Sequence, residues 1–109
     1  MAEIWRTHDY RGRVVILTLE GRDHIVPKRS TMADRLGDVR LAIGRPTLVA
    51  RDVTYPRREN HYHRTPDGQG WLKVVVKYRP IPPQGTWQGE VVTAYPVDHP
   101  KRKEAPLWP

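Results

Sequence analysis

The sequence predicts an α+β domain, an N-terminal hairpin and two helices packed on a four-stranded antiparallel sheet. Three observations carry that prediction. The run Trp71–Tyr78, WLKVVVKY, is rich in β-branched and aromatic side chains and is bounded by Gly70 and Pro80. Met32, Leu36, Val39 and Ile43 recur at helical spacing. Strand-like segments after residue 46 alternate with turn-forming residues, as a meander requires.

Residues 3–19 read as the hairpin. Glu3–His8 leads into the turn Asp9-Tyr10-Arg11-Gly12, and Arg13–Leu19 follows as a nearly all-apolar strand. Glu20-Gly21-Arg22 is expected to turn the chain, and Asp23 to cap a short helix running to about Arg29. Thr31 with Asp34 is a capping-box-like start for the second helix. Gly44 and Pro46 stop that helix. The four strands are expected at Thr47–Arg51, Glu59–Arg64, Trp71–Tyr78 and Glu90–Tyr95, with a long proline-rich loop over Pro80–Gly89. A basic tail ends Ala105-Pro106-Leu107-Trp108-Pro109, whose tryptophan is expected to dock on the body.

A chain of 109 residues suits one domain, spanning residues 1–109. Nineteen Lys and Arg against twelve Asp and Glu give +7, and the excess is spread over both halves. Nucleic acid is the leading partner for so basic a domain, ahead of an anionic membrane surface. No cysteine is present, so thiol and disulfide chemistry are excluded and a cytoplasmic setting is expected. No apolar run approaches the length of a membrane span or a signal peptide.

Alternation puts Leu72, Val74, Val76 and Tyr78 on one face of the long strand, a core face. Trp71, Lys73, Val75 and Lys77 share the other, expected to be a basic face that meets a polyanion. The strand after Pro56 puts Glu59, His61 and His63 on one face, and Asn60, Tyr62 and Arg64 on the other. His61 and His63 alone fall short of a metal site, so no metal and no cofactor are expected.

The order and spacing of several pieces resemble a known class. They are Leu17-Thr18, His24-Ile25, Met32, Pro46 before Val49, Glu59 with Tyr62, and Leu72–Val76. Gly89-Glu90-Val91-Val92-Thr93-Ala94-Tyr95 and Leu107-Trp108-Pro109 complete the series. The pattern resembles the phage-associated members of the barnase–EndoU–colicin–RelE-like nuclease class, metal-independent ribonuclease folds. The resemblance implies a toxin-like or phage-derived endoribonuclease that cleaves RNA by 2′-hydroxyl attack. One position departs from it. Relatives carry a second histidine followed by Pro-Glu before the methionine, where this chain has Arg29-Ser30-Thr31.

On this reading His24, Arg29, Lys73 and Thr93 are the candidate catalytic residues. Lys28, Glu59, Tyr62, His63, Trp71, Lys77 and Tyr95 are the candidate substrate contacts. His24 serves as acid or base, the cations grip phosphate, and Trp71 and Tyr95 stack a base. RNA is the expected partner, with an antitoxin or inhibitor protein beside it. The missing histidine leaves open a non-catalytic RNA-binding module, and the proline-rich loop a protein-interaction domain.

Overall fold

The computed structural model describes residues 2–25, 35–65, 70–101 and 103–109. It is an α+β fold with two helices and one seven-stranded sheet, so the expected four-stranded sheet is corrected. The elements are β1 (Glu3–His8), β2 (Val14–Thr18), α1 (Leu19–Ile25), α2 (Leu36–Gly44) and β3 (Leu48–Arg51), followed by β4 (Arg58–Arg64), β5 (Trp71–Ile81), β6 (Thr86–Val97) and β7 (Ala105–Trp108). Their order across the sheet is β1-β2-β6-β5-β4-β3-β7.

Two docking events enlarge the sheet beyond the meander. The hairpin joins it because β2 pairs in parallel with β6, Val14 to Ile16 alongside Gln88 to Glu90. A strand as apolar as Val14-Val15-Ile16-Leu17 is most stable with neighbours on both sides, and β1 alone would leave one side open. At the other edge the C-terminal segment becomes β7, antiparallel to β3. The sheet curls enough for the β1–β2 turn to reach the strand at the opposite edge. Tyr10, in the β1–β2 turn, lies 5.7 Å ring to ring from Trp108 of β7.

The helix face of the sheet carries the core. Val15, Leu17, Leu72, Val74, Val76, Tyr78, Val91 and Ala94 pack against Ile25 of α1 and Val39, Ala42 and Ile43 of α2. Alternation along β5 therefore holds as read for its apolar face. The stripe Leu36, Val39 and Ile43 also holds, and Arg45 N–H closes the helix on Leu41 O at 2.8 Å. The expected cap at Thr31 and Asp34 lies outside the described residues, as do Lys28, Arg29 and Met32.

The start of α1 differs from expectation. It begins at Leu19, directly after β2, and Glu20-Gly21-Arg22 is helical rather than a turn. Thr18 is the cap, its Oγ1 accepting the Gly21 N–H at 3.0 Å. Gly21 fits because any Cβ there would sit 3.1 Å from Val91 O.

The Pro80–Gly89 loop is mostly strand as well. β5 runs on to Ile81 and pairs with a longer β6, leaving residues 82–85 as the turn. Pro80 is tolerated because β4 ends opposite Lys77, so β5 has a neighbour on one side only beyond that point. Within β6 an extra residue, Val92, bulges out, since Val75 pairs with Thr93 and Val76 with Val91. The bulge puts Val91 on the helix face and Thr93 on the opposite face, where alternation alone would have kept them together.

That opposite face is not an open basic surface. Lys73 is only 3% exposed. Its Nζ lies 3.5 Å from the Glu104 carboxylate and 5.7 Å from the rings of Tyr62 and Tyr95. The C-terminal segment brings Glu104 across this face before β7 forms, and the lysine is neutralised by a residue far along the chain.

Candidate functional site

The expected catalytic set does not converge. His24 is exposed on α1, which packs on the helix face. Lys73 and Thr93 lie on the opposite face, and Arg29 is outside the described residues, as is Lys28 among the substrate contacts. Glu59 and Tyr62 stay on opposite faces because the β4–β5 register is regular. Tyr62 donates to Glu104 Oε1 at 2.8 Å, and burial followed by that carboxylate raises its pKa. Trp71 is half-buried, with the Arg64 guanidinium 5.1 Å over its ring. Tyr95 is half-buried beside Lys73, and His63 is half-buried on the helix face. Lys77 is exposed opposite Glu90.

What the fold does assemble is a cleft of about 710 Å³ at the end of the helix face that the helices leave uncovered. Three connections converge there. The β1–β2 turn supplies Arg11 and Arg13, the end of β3 and the connection after it supply Arg51 and Arg57, and the β5–β6 hairpin supplies Ile81 and Trp87. Glu59 and Tyr78 form the floor. Four guanidiniums thus surround one carboxylate among the described lining residues.

The floor is a buried polar network organised by Asp9. Its side chain is fully buried and accepts four hydrogen bonds, from Arg11 N and Arg13 N at 2.8 and 2.9 Å, and from Arg13 Nε and Tyr78 Oη at 2.7 Å each. Gly12 permits the turn that aims these donors, with φ of 80°. The other two Arg13 nitrogens then grip Glu59, Nη2 to Oε1 at 2.8 Å and Nη1 to Oε2 at 3.1 Å. Tyr10 Oη donates to Glu59 Oε1 at 3.3 Å, and the Arg13 guanidinium stacks 4.0 Å over the Tyr78 ring. Burial opposes the Arg13 charge, but its bonds to Glu59 and the nearby Tyr78 and Asp9 outweigh it and raise its pKa.

His61 lies behind this floor with no exposure. Burial drives its pKa down to about 4, against the pull of the Glu59 and Asp9 carboxylates, so it is neutral at pH 7. The single Tyr78 hydroxyl proton goes to Asp9. His61 Nε2, 3.3 Å from Tyr78 Oη, is therefore the protonated nitrogen, and Nδ1 is left as an acceptor without a partner among the described residues.

Arg11, Arg51 and Arg57 are exposed, and among the described residues no carboxylate pairs with their side chains. These three cations and an exposed tryptophan form a cationic surface with an aromatic wall. No group of three or more His, Asp or Glu among the described residues is arranged to hold a metal ion, and no described helix is long and apolar enough to cross a membrane. Comparison with known protein families, with curated proteins and with solved structures returned no match.

Of the sequence candidates among the described residues, only Glu59 lines this cleft. Reading the β1–β2 segment as a mere turn passed over Arg11 and Arg13, although two arginines flanking a glycine already marked it as cationic. Trp87 was hidden in an expected loop.

Proposed function

We propose that this protein is a metal-independent endoribonuclease that engages RNA in the arginine cleft, with Glu59 as its base. The observation that carries this reading is the pairing of one partly accessible carboxylate with four guanidiniums on a single cleft. Cleavage by 2′-hydroxyl attack requires a base for the 2′ proton and cations for the crowded phosphate. Glu59 takes the 2′ proton as the 2′ oxygen bonds to phosphorus. The P–O5′ bond breaks, and O5′ takes a proton from water at the open mouth of the cleft. The products are a 2′,3′-cyclic phosphate and a 5′-hydroxyl. Arg13, already held against Glu59, and the uncommitted Arg11, Arg51 and Arg57 bind the phosphoryl oxygens.

No histidine lines the cleft, so the leaving oxygen lacks a strong acid and turnover is slow. A chain without cysteine suits the reducing cytoplasm, where we place it. An inhibitor protein that presents carboxylates would fit the same cleft by charge.

Incubation of single-stranded RNA with the purified protein in EDTA is the direct test. Cyclic-phosphate ends should accumulate, and Glu59→Gln should lower the rate by at least about 100-fold while RNA binding persists. Intact RNA in the presence of measurable binding defeats the catalytic reading. A second reading, an RNA-binding module without cleavage, is favoured by the bidentate grip of Arg13 on both Glu59 oxygens. It is the reading that this outcome would select.

A further inference from the structure

We infer that the cleft selects single-stranded RNA by stacking an unpaired base on Trp87 while Arg11, Arg51 and Arg57 hold the flanking phosphates. The inference rests on the RNA reading of the cleft and adds the form of RNA it accepts. The two sides of the cleft differ in chemistry. The cations come from the β1–β2 turn, Arg51 and Arg57, whereas the hairpin side presents Ile81, Thr86 and Trp87.

Trp87 is 39% exposed on a paired strand, so much of its ring area is open to solvent. It stands in β6 opposite Pro80, five residues before the bulge at Val92, so its backbone and its neighbour's are fixed by the ladder. With only two side-chain torsions, a tryptophan ring loses little freedom when a base lies on it. It has the π-face that stacks on any base, and Arg11, Arg51 and Arg57 line the same cleft.

A duplex keeps its bases stacked inside the helix and cannot offer one to Trp87. A volume of about 710 Å³ is within the range that encloses most of a small organic ligand, so a base with its sugar and phosphate fits. Phosphate contacts supply affinity, and the stacked base supplies the preference for single strands.

The test uses fluorescein-labelled 2′-O-methyl oligoadenylate eight nucleotides long, which binds without being cleaved. It is compared with its complementary duplex and with an abasic strand of equal charge. The single strand should bind about 10-fold or more tightly than either comparator. Trp87→Ala should erase that margin and leave abasic-strand affinity unchanged, and Trp87→Phe should restore most of it.

Equal binding of abasic and base-bearing strands, or an unaltered margin in Trp87→Ala, overturns the stacking inference. If Arg57→Gln still weakens all three probes in that case, the arginine cleft stands and only the stacking falls. Absence of binding by every probe overturns both readings together.

Discussion

His61 makes the fold sensitive to acid. The folded state keeps it neutral to about pH 4, whereas in the unfolded chain it takes a proton below about 6.5. Its contribution is fully present above pH 6.5 and is lost as pH falls toward 4, for a total of about 3 kcal/mol. Urea midpoints measured from pH 7 to pH 4 should fall steeply for the native chain. His61→Gln should start lower at pH 7 and decline less. Parallel curves would assign the acid sensitivity to the carboxylates instead. Asp9 acts at the same scale. Asp9→Ala leaves Arg13 Nε and the Tyr78 hydroxyl without their acceptor beneath the cleft, while Glu59 still pairs the guanidinium, and should cost about 2–4 kcal/mol of unfolding free energy by chemical denaturation.

At the scale of elements, two close approaches hold the sheet in register. Gly89 lies where β2, β5 and β6 meet, and a Cβ there would come within 2.7 Å of Val76 Cγ1 and 2.8 Å of Tyr78 Cε1. Gly89→Ala should therefore overpack the core by about 1–3 kcal/mol, read as a lowered thermal midpoint. The C-terminal segment is fastened by the buried Lys73–Glu104 pair and the Tyr62 hydrogen bond. Lys73→Met leaves a buried carboxylate and Glu104→Gln leaves a buried ammonium, so each alone should be strongly destabilising. The double variant keeps an acceptor for Tyr62 and should be more stable than either single one. A simple sum of the two losses would show that the pair is not coupled.

Across the whole molecule, the net charge is +7, and the cleft takes a local share of it, four arginines against one glutamate among its lining residues. Three uncommitted arginines predict that log affinity for single-stranded RNA falls with log salt at a slope of about −2. Arg57→Gln should reduce the magnitude of that slope by about 0.7. A slope near zero would remove these arginines from the interface. The curl of the sheet matters to this, because it brings the β1–β2 turn at one edge over β4 and β5 in the middle. Without it Arg11 and Arg13 would stand at the far side of the sheet from Arg51 and Arg57.

The sequence by itself determined what repeats locally. The apolar face of Leu72, Val74, Val76 and Tyr78, the stripe of Leu36, Val39 and Ile43, and the opposition of Glu59 to Tyr62 follow from the periods of strand and helix. Side-chain period says which face is apolar, and does not say which strand lies beside it. The parallel β2–β6 pairing, β7 at the edge and the Val92 bulge were therefore decided by tertiary structure. So was the fate of Lys73, read as a phosphate ligand until Glu104 neutralises it from the far end of the chain. The cleft belongs to the same class of fact. Its arginines are distant in sequence, and only the closing of a curled sheet, driven by burial of the two-sided apolar strands, sets their charges around Glu59.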